Sequence, residues 1–259
     1  MAILHLNFRS DSIARSVYPI VFLPDAPGRG DKPFQTLYFL HGYTGGGLET
    51  SMFSNFLMYS LMYDLAIVLI DGENSFYVDD EQRGALFSRY AGQEIVEVTR
   101  ELLPLSRERK NTFIGGISMG GYGAMVNGLR FQENFSKIAV MSPALGLVSP
   151  EDRDGPNNPI VRGELLATVG SAEQYYGTYK DVEAAAEQAA RDGSMPRLFM
   201  SVGEQDALVK NAFNRFTEKM TALNAPLTVW KAEGGHDHVF WKNSLTPLCE
   251  FLTERKAGF

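Results

Sequence analysis

The chain has 259 residues, of which 44% are hydrophobic, and a net charge of −7 from 24 basic and 31 acidic side chains. This apolar content excludes global disorder, and the length fits one mixed α/β domain. The acidic balance, with no basic block, argues against a nucleic-acid partner. A single cysteine, Cys249, excludes an intrachain disulfide and a multi-cysteine metal centre.

The sequence indicates a cytoplasmic protein. Its first residues contain neither the basic segment nor the apolar run of a signal peptide. With one cysteine, the fold does not depend on an oxidising compartment. One long uncharged stretch, Asn111–Leu129, contains six glycines, which makes it a poor membrane helix. We therefore expect no membrane partner.

Short β-branched or aromatic runs alternate with helix-like segments along the chain. The predicted strands are Leu4–Phe8, Ser16–Leu23, Thr36–Leu40, Ala66–Ile70, Thr112–Ile117, Ile138–Met141, Leu198–Val202 and Leu227–Trp230. The predicted helices are Ala91–Leu103, with Ile95, Val98 and Leu102 on one face, Met119–Leu129, and a last helix within Val239–Arg255. A loop is predicted at Pro24–Gly30. This order predicts an α/β fold with about eight strands, mostly parallel, helices on both faces and an antiparallel first pair.

Residues 143–196, here called the cap segment, interrupt the alternation because they contain no clear strand. The segment opens with a loop, Ser149–Pro159, and continues with helix-like stretches at Ile160–Thr168 and Asp181–Arg191. We interpret it as a small helical insertion over the carboxyl edge of the sheet, within a single domain covering residues 1–259. A peripheral helical excursion without a lid role is the alternative.

The sequence Gly116-Ile117-Ser118-Met119-Gly120 matches the G-x-S-x-G nucleophile elbow and lies between a predicted strand and a predicted helix. Such a turn is crowded two residues before and after the serine, which favours glycine at both positions. This placement predicts Ser118 as a catalytic nucleophile. A tight strand–helix turn without function is the alternative.

A serine hydroxyl needs an adjacent base, because it is a weak nucleophile at neutral pH. In the chain order Ser…Asp/Glu…His, only His236 and His238 follow Ser118. His236 comes directly after Gly234-Gly235 and the last predicted strand, so it is the predicted base. His238 is the alternative, or a histidine at the rim of the site. The two histidines have no further ligand at metal spacing, so no metal is expected.

The acidic partner of the histidine should lie after a strand between Ser118 and His236. Asp206 follows the predicted strand Leu198–Val202 and can reach the histidine loop, where it would accept the Nδ1 proton of His236. Glu204 is the alternative.

The oxyanion of the reaction needs two preorganised N–H donors. One is predicted at Met119, directly after the nucleophile. The other is predicted at Tyr43 in the loop after Thr36–Leu40, with Gly42 as the alternative donor. Alternatively, His41-Gly42 is an ordinary strand–loop turn that has no catalytic role.

The chain resembles the esterase D-like group of α/β-hydrolase serine esterases, and within it the bacterial tributyrin-type short-chain esterases. The likeness lies in Leu40–Tyr43, Asn74–Asp79, Ser118–Ala124 and Gly234–Trp241 and extends over nearly the whole chain. It implies an α/β-hydrolase fold, a Ser118–Asp206–His236 triad, oxyanion donors at Tyr43 and Met119, and small acyl groups. It also implies a dimer or tetramer.

Aromatic residues are predicted to shape the substrate site. Tyr77, Phe87 and Tyr90 follow the strand Ala66–Ile70 and could form one wall, together with Gly42 at the oxyanion loop. A second candidate wall in the cap segment consists of Tyr175, Tyr176 and Tyr179. Packing within the cap is the alternative for these tyrosines, and for Trp241 a core position is expected.

These residues predict a cofactor-free carboxylic ester hydrolase acting on a small-molecule ester through an acyl-enzyme. The glycines at Gly45–Gly47 lack the lysine of a phosphate-binding loop, which excludes nucleotide binding. An acyltransferase would use the same residues. S-formylglutathione hydrolase, feruloyl esterase and acetylxylan esterase are further alternatives, although the first usually has SGL where this chain has His41-Gly42-Tyr43. The remaining alternative functions are a serine peptidase and a non-catalytic binding scaffold.

Overall fold

The computed structural model describes residues 1–24, 32–148 and 159–256. The strands are β1 (Ala2–His5), β2 (Phe8–Ser10), β3 (Arg15–Val17), β4 (Ile20–Leu23), β5 (Gln35–Leu40), β6 (Leu65–Ile70), β7 (Asp79–Asp80), β8 (Ala85–Leu86), β9 (Thr112–Ile117), β10 (Lys137–Met141), β11 (Arg197–Gly203) and β12 (Leu227–Ala232). The α-helices are α1 (Gly47–Ser54), α2 (Phe56–Tyr63), α3 (Phe87–Arg89), α4 (Ile95–Leu102), α5 (Met119–Arg130), α6 (Leu145–Val148), α7 (Pro159–Val169), α8 (Ala172–Tyr175), α9 (Val182–Asp192), α10 (Lys210–Ala222) and α11 (His238–Thr253). A π-helical turn, Tyr90–Glu94, joins α3 to α4.

Eight of the strands form one sheet in the order β1-β4-β6-β5-β9-β10-β11-β12. The pairs β1–β4 and β4–β6 are antiparallel, and every other neighbouring pair in this sheet is parallel. Parallel strands need crossover connections, and here helices supply them. The carboxyl ends of β5, β9 and β11 therefore meet at one edge of the sheet.

Both faces of the sheet are covered, as the alternation of side chains along β5 illustrates. Tyr38 and Leu40 belong to the core beneath α4, α5 and α10, whereas Leu37 and Phe39 belong to the core beneath α2 and α11. Successive strand residues point to opposite faces, so a strand with five consecutive buried residues, Thr36 to Leu40, requires helices on both sides.

The predicted α/β fold with an eight-stranded, mostly parallel sheet is confirmed, but several boundaries change. The first two predicted strands each divide in two, because β2 and β3 leave the main sheet and pair with each other. The predicted face of the helix in Ala91–Leu103 is wrong. Its buried side chains are Ile95, Val96 and Thr99, while Leu102 is 61% exposed. Helices α1, α2 and α10 had no counterpart in the prediction.

The cap segment contains helices between β10 and β11, as predicted. α7 and α9 correspond to the two predicted stretches, and α9 has an N-cap at Asp181, whose side chain accepts from Ala184 N–H. Tyr122 on α5 donates its hydroxyl proton to the carbonyl of Lys180 (2.7 Å), which fastens the segment to the body of the protein. The predicted loops Pro24–Gly30 and Ser149–Pro159 lie almost entirely outside the described residues.

Within the described ranges, no helix has the length and apolar character required to cross a membrane.

Substitution of Phe39 tests how strongly the core side chains of β5 stabilise the fold. Its ring is 1% exposed and lies 4.8 Å from the ring of Phe56 in an edge-to-face arrangement. We expect Phe39→Ala to lower the free energy of unfolding by about 3–5 kcal/mol, because a large buried side chain leaves a cavity. Denaturant titration measures the loss. Leu48→Ala, at a position 63% exposed, is the control and should stay within about 0.5 kcal/mol of the parent. Equal effects of the two changes would contradict the packing argument.

Candidate active site

Ser118 lies on a strained turn between β9 and α5, with φ 53° and ψ −112°. A non-glycine residue rarely adopts positive φ, and such strain is concentrated at functional sites. The turn is held by hydrogen bonds from Ser118 N–H to the carbonyl of Met141 (3.0 Å) and from Ala144 N–H to the carbonyl of Ser118 (3.0 Å).

Gly116 and Gly120 are glycines because the turn brings backbones together. A Cβ on Gly120 would overlap the carbonyl oxygens of Leu40 and His41, and one on Gly116 would overlap the carbonyl of Gly120. The small residues of the elbow thus allow the end of β5 to lie against the beginning of α5. This places the loop after β5 beside Ser118.

The side chains of Ser118, His236 and Asp206 form a continuous hydrogen-bonded chain. Ser118 Oγ is 2.9 Å from His236 Nε2, and His236 Nδ1 is 2.9 Å from Asp206 Oδ2. An ionised carboxylate can only accept a hydrogen bond. The Nδ1 proton of His236 is therefore donated to Asp206, which leaves Nε2 free to accept the proton of the Ser118 hydroxyl.

Asp206 is fully buried, whereas the side chain of His236 is 19% exposed. Burial alone would raise the pKa of Asp206, but the hydrogen bond and charge of His236 and the N–H of Val209 outweigh it and hold this pKa below its ordinary value of 3.8. The other carboxylate oxygen accepts from Leu208 N–H (3.1 Å) and Val209 N–H (3.2 Å). Asp206 is thus a fixed anion that orients the imidazole.

The loops that carry Asp206 and His236 are joined directly. Gln205 N–H donates to the carbonyl of Gly234 (2.9 Å), and the Gln205 side-chain oxygen accepts from Gly234 N–H (2.7 Å). The alternative acid, Glu204, instead pairs with Lys210 at 3.0 Å on the surface. The structure therefore brings together the predicted Ser118, Asp206 and His236 and leaves Glu204 apart.

Tyr43 and Met119, the two predicted oxyanion donors, both line the cavity that contains Ser118 and His236. Met119 is the first residue of α5, where backbone N–H groups lack partners within the helix and the helix dipole favours negative charge. Gly42 also lines the cavity, and a Cβ built there would lie 3.6 Å from Ser118 Cβ. The loop after β5 thus passes close to Ser118.

The cavity has a volume of about 350 Å³ and is mainly apolar. Phe76, Ile117, Ala144, Leu165 and Leu208 supply much of its wall. Toward α1 the lining becomes polar: Thr44, Glu49, Thr50 and Ser54. A mostly apolar cavity with a few convergent polar groups is typical of a small-molecule site. In the described part of the chain, no three His, Cys, Asp or Glu side chains are grouped as a metal ion would require.

The predicted aromatic wall of Tyr77, Phe87 and Tyr90 is wrong. All three are buried in the core, and none is among the residues that line the cavity. The turn Phe76-Tyr77 has positive φ at both residues, and Phe76 rather than Tyr77 lines the cavity. Tyr77 lies behind the loop that follows β5 and donates its hydroxyl proton to the carbonyl of His41 (3.3 Å).

The predicted pocket role of Tyr176 and the predicted core position of Trp241 also need correction, whereas His238 occupies the rim position given as its alternative. Tyr176 is 41% exposed and packs against Tyr175 instead of lining the cavity. Trp241, predicted as a core residue, lines the cavity, and its ring centroid is 5.1 Å from that of His236. His238 stacks on Phe53 at 4.2 Å and lies at the rim. His238 and Trp241 follow His236 by two and five residues, but this spacing in the sequence does not give the direction of their side chains.

A strand–elbow–helix nucleophile beside a histidine and a buried aspartate, on a mostly parallel sheet, defines an α/β-hydrolase. Solved structures agree with this fold. FphF, a fluorophosphonate-binding serine hydrolase of Staphylococcus aureus, is 22% identical with a TM-score of 0.84 and covers 97% of this chain and 98% of its own. The S-formylglutathione hydrolase FrmB of Staphylococcus aureus is 23% identical with a TM-score of 0.83 at the same coverage.

The family follows from the sequence comparisons. Residues 10–251 match the family model described as "Putative esterase". An acetyl esterase of Caldicellulosiruptor saccharolyticus is 33% identical over 267 residues, which cover 98% of this chain and 99% of that protein. The chain therefore belongs to this esterase family, and it is a serine carboxylic ester hydrolase with a small-molecule ester substrate.

The crowding around Gly120 can be tested by comparing its substitution with that of a glycine whose Cβ position is unobstructed. Gly120→Ala should destabilise the protein by about 2 kcal/mol or more, because its Cβ meets rigid backbone. Gly163→Ala, on α7, is the control. A Cβ there has no atom within 4 Å, so helix propensity should make it neutral or stabilising by up to about 1 kcal/mol. Denaturant titration of both variants measures the difference, and a tolerated Gly120→Ala would disprove the close approach.

The lowered pKa of Asp206 predicts the sign of a pH effect on stability. A carboxylate with a folded-state pKa below its unfolded value contributes stability above the unfolded pKa, and this contribution is lost as the pH falls through the folded pKa. Asp206→Asn should therefore make the loss of stability between about pH 5 and pH 2 shallower than in the parent protein. Denaturation midpoints measured across that range provide the comparison. Parallel profiles would show that Asp206 is not held as a stabilised anion.

Proposed function

We propose that this protein hydrolyses short-chain acyl esters by nucleophilic catalysis with Ser118, His236 and Asp206. The observation that carries the proposal is the hydrogen-bonded chain with two 2.9 Å contacts, which opens at Ser118 into a mainly apolar cavity. A serine becomes nucleophilic when a neutral histidine accepts its proton, and the buried aspartate stabilises the imidazolium that forms.

The proposed reaction has two steps. His236 Nε2 takes the proton of Ser118 as Oγ attacks the ester carbonyl, and the N–H groups of Tyr43 and Met119 bind the developing oxyanion. His236 then protonates the leaving alcohol, and an acyl-enzyme on Ser118 remains. Water enters, loses its proton to His236, and releases the acid by the same route. No step requires a metal or a nucleotide.

Short acyl groups are proposed because the cavity is small and walled by bulky side chains. Its volume of about 350 Å³ is shared by the acyl and alcohol halves of the ester, and Phe76 and Leu165 limit the space beside Ser118. The related Caldicellulosiruptor protein is described as an acetyl esterase, which supports an acetyl ester as one substrate.

A cytoplasmic location is proposed on the cysteine content. The single Cys249 is buried and unpaired, so the fold requires no oxidising compartment.

The proposal is tested by the hydrolysis of p-nitrophenyl acetate, butyrate and octanoate. Acetate and butyrate should be cleaved faster than octanoate, and Ser118→Ala should lower kcat by about 10⁴-fold or more, because water cannot replace a positioned nucleophile. Ser194→Ala, an exposed serine outside the site, is the control and should retain the parent rate.

The outcomes separate the candidate functions. Full activity in Ser118→Ala would remove the serine from the mechanism. Product analysis with a competing alcohol distinguishes hydrolysis from acyl transfer, since a transferase would form a new ester in place of the free acid. Faster octanoate than acetate cleavage would contradict the short acyl preference.

A further inference from the structure

Tyr43 is held from two sides, by the body of the protein and by the cap segment. Its backbone N–H is the proposed oxyanion donor, and its side-chain hydroxyl contacts Glu164 on α7. The contacts on each side determine how this donor is oriented.

On the body side, the peptide between Gly42 and Tyr43 is fixed through its carbonyl. The Gly42 oxygen lies 2.7 Å from His41 Nδ1 and accepts from Gly45 N–H at 3.1 Å. A carbonyl can only accept, so His41 donates the Nδ1 proton. The C=O and N–H of one trans peptide point in opposite directions within one plane. Two donors on the Gly42 oxygen therefore orient the Tyr43 N–H away from them.

On the cap side, the Tyr43 hydroxyl donates to the carboxylate of Glu164. Burial, followed by the hydrogen bond to Glu164 and the charge of Glu164, raises the pKa of Tyr43 to about 12. The phenol thus remains a donor over the working range of an esterase. We call this contact between the Tyr43 hydroxyl and Glu164 the clasp. The ring of Tyr43 lies 6.0 Å from that of Phe76 and lines the cavity, so the clasp holds a side chain that forms part of the cavity wall.

Glu164 lies on α7, and its neighbour Leu165 lines the cavity. The carboxyl end of α7 is fixed separately, since Lys180 Nζ lies 3.2 Å from the carbonyl of Val169. Lys180 belongs to the part of the cap that Tyr122 fastens to α5. The carboxyl end of α7 is therefore anchored to the rest of the cap segment. The Tyr43–Glu164 contact is a separate one, and it joins α7 to the oxyanion loop.

We propose that Glu164 is a positioning residue that fixes the oxyanion donor of Tyr43, so that the seating of α7 completes the catalytic site. This inference rests on the proposed function, in which Tyr43 N–H binds the oxyanion. The clasp affects the transition state more than the bound substrate, because the oxyanion charge develops only during the reaction.

The test compares Glu164→Ala and Glu164→Gln with the parent enzyme on p-nitrophenyl acetate. Glu164→Ala should lower kcat by about tenfold, which is less than the loss of a donor, while KM stays within about twofold. Glu164→Gln should keep at least about a third of the parent kcat, because an amide oxygen still accepts from the Tyr43 hydroxyl. Glu173→Ala, at an exposed position on α8, is the matched control and should behave as the parent.

A second measurement distinguishes positioning from a general loosening of the cap. A small alkyl boronic acid forms a tetrahedral adduct on the serine, and its affinity should weaken in Glu164→Ala by the same factor as kcat/KM. Tyr43→Phe keeps the backbone N–H but loses the clasp, so it should match Glu164→Ala, and the double variant should be no worse than either.

Three results would overturn the inference. Parent-like kcat and boronic acid affinity in Glu164→Ala would remove any positioning role. A raised KM with unchanged kcat would assign α7 to substrate binding through Leu165 alone. Additive losses in the double variant would mean that the two residues act separately. Each leaves the proposed function intact, because that function is tested by Ser118→Ala, by the acyl-length comparison and by product analysis, and not by the Glu164 variants.

Discussion

The close approach of the end of β5 to the beginning of α5 is the constraint on which the site depends. Gly116 and Gly120 permit it because a Cβ at either position would meet backbone oxygens. Two features follow from this one contact. Ser118 has a positive φ and lines the cavity, and the loop after β5 passes beside it. Ser118 and the loop after β5, which are distant in sequence, thereby line one cavity.

The second requirement is a buried anion that does not pair with a permanent cation. Asp206 is fully buried, yet its partners are His236 and the N–H groups of Leu208 and Val209. Burial of an unpaired charge is costly, and these hydrogen bonds offset the cost. Among the described residues, no lysine or arginine forms an ion pair with the Asp206 carboxylate. The carboxylate therefore remains available to orient the imidazole of His236 and to stabilise the protonated imidazole.

The cavity unites elements that have different roles elsewhere in the fold. The rigid edge of the sheet supplies the elbow, α1 and α11 supply the polar rim and Trp241, and α7 supplies Leu165. Loops and helices at the carboxyl edge of a parallel sheet can vary without disturbing the core. Relatives with this fold therefore include proteins described as an acetyl esterase, an S-formylglutathione hydrolase and a ferulic acid esterase. The cap thus contributes Leu165 to the cavity lining, whereas Ser118 is held by the turn between β9 and α5.

The sequence by itself determined the alternating strands and helices, the elbow at Ser118 and the pairing of Asp206 with His236. Each depends on local chemistry or on chain order: continuous apolar runs, glycines that a tight turn requires, and polar residues directly after strands. Only the tertiary structure decided which aromatic side chains face the cavity. Phe76 and Tyr77 are adjacent in sequence, but backbone angles set by long-range packing direct one to the cavity and the other to the core. The contact of Tyr43 with Glu164 likewise spans 121 residues, a separation over which sequence pattern carries no directional information.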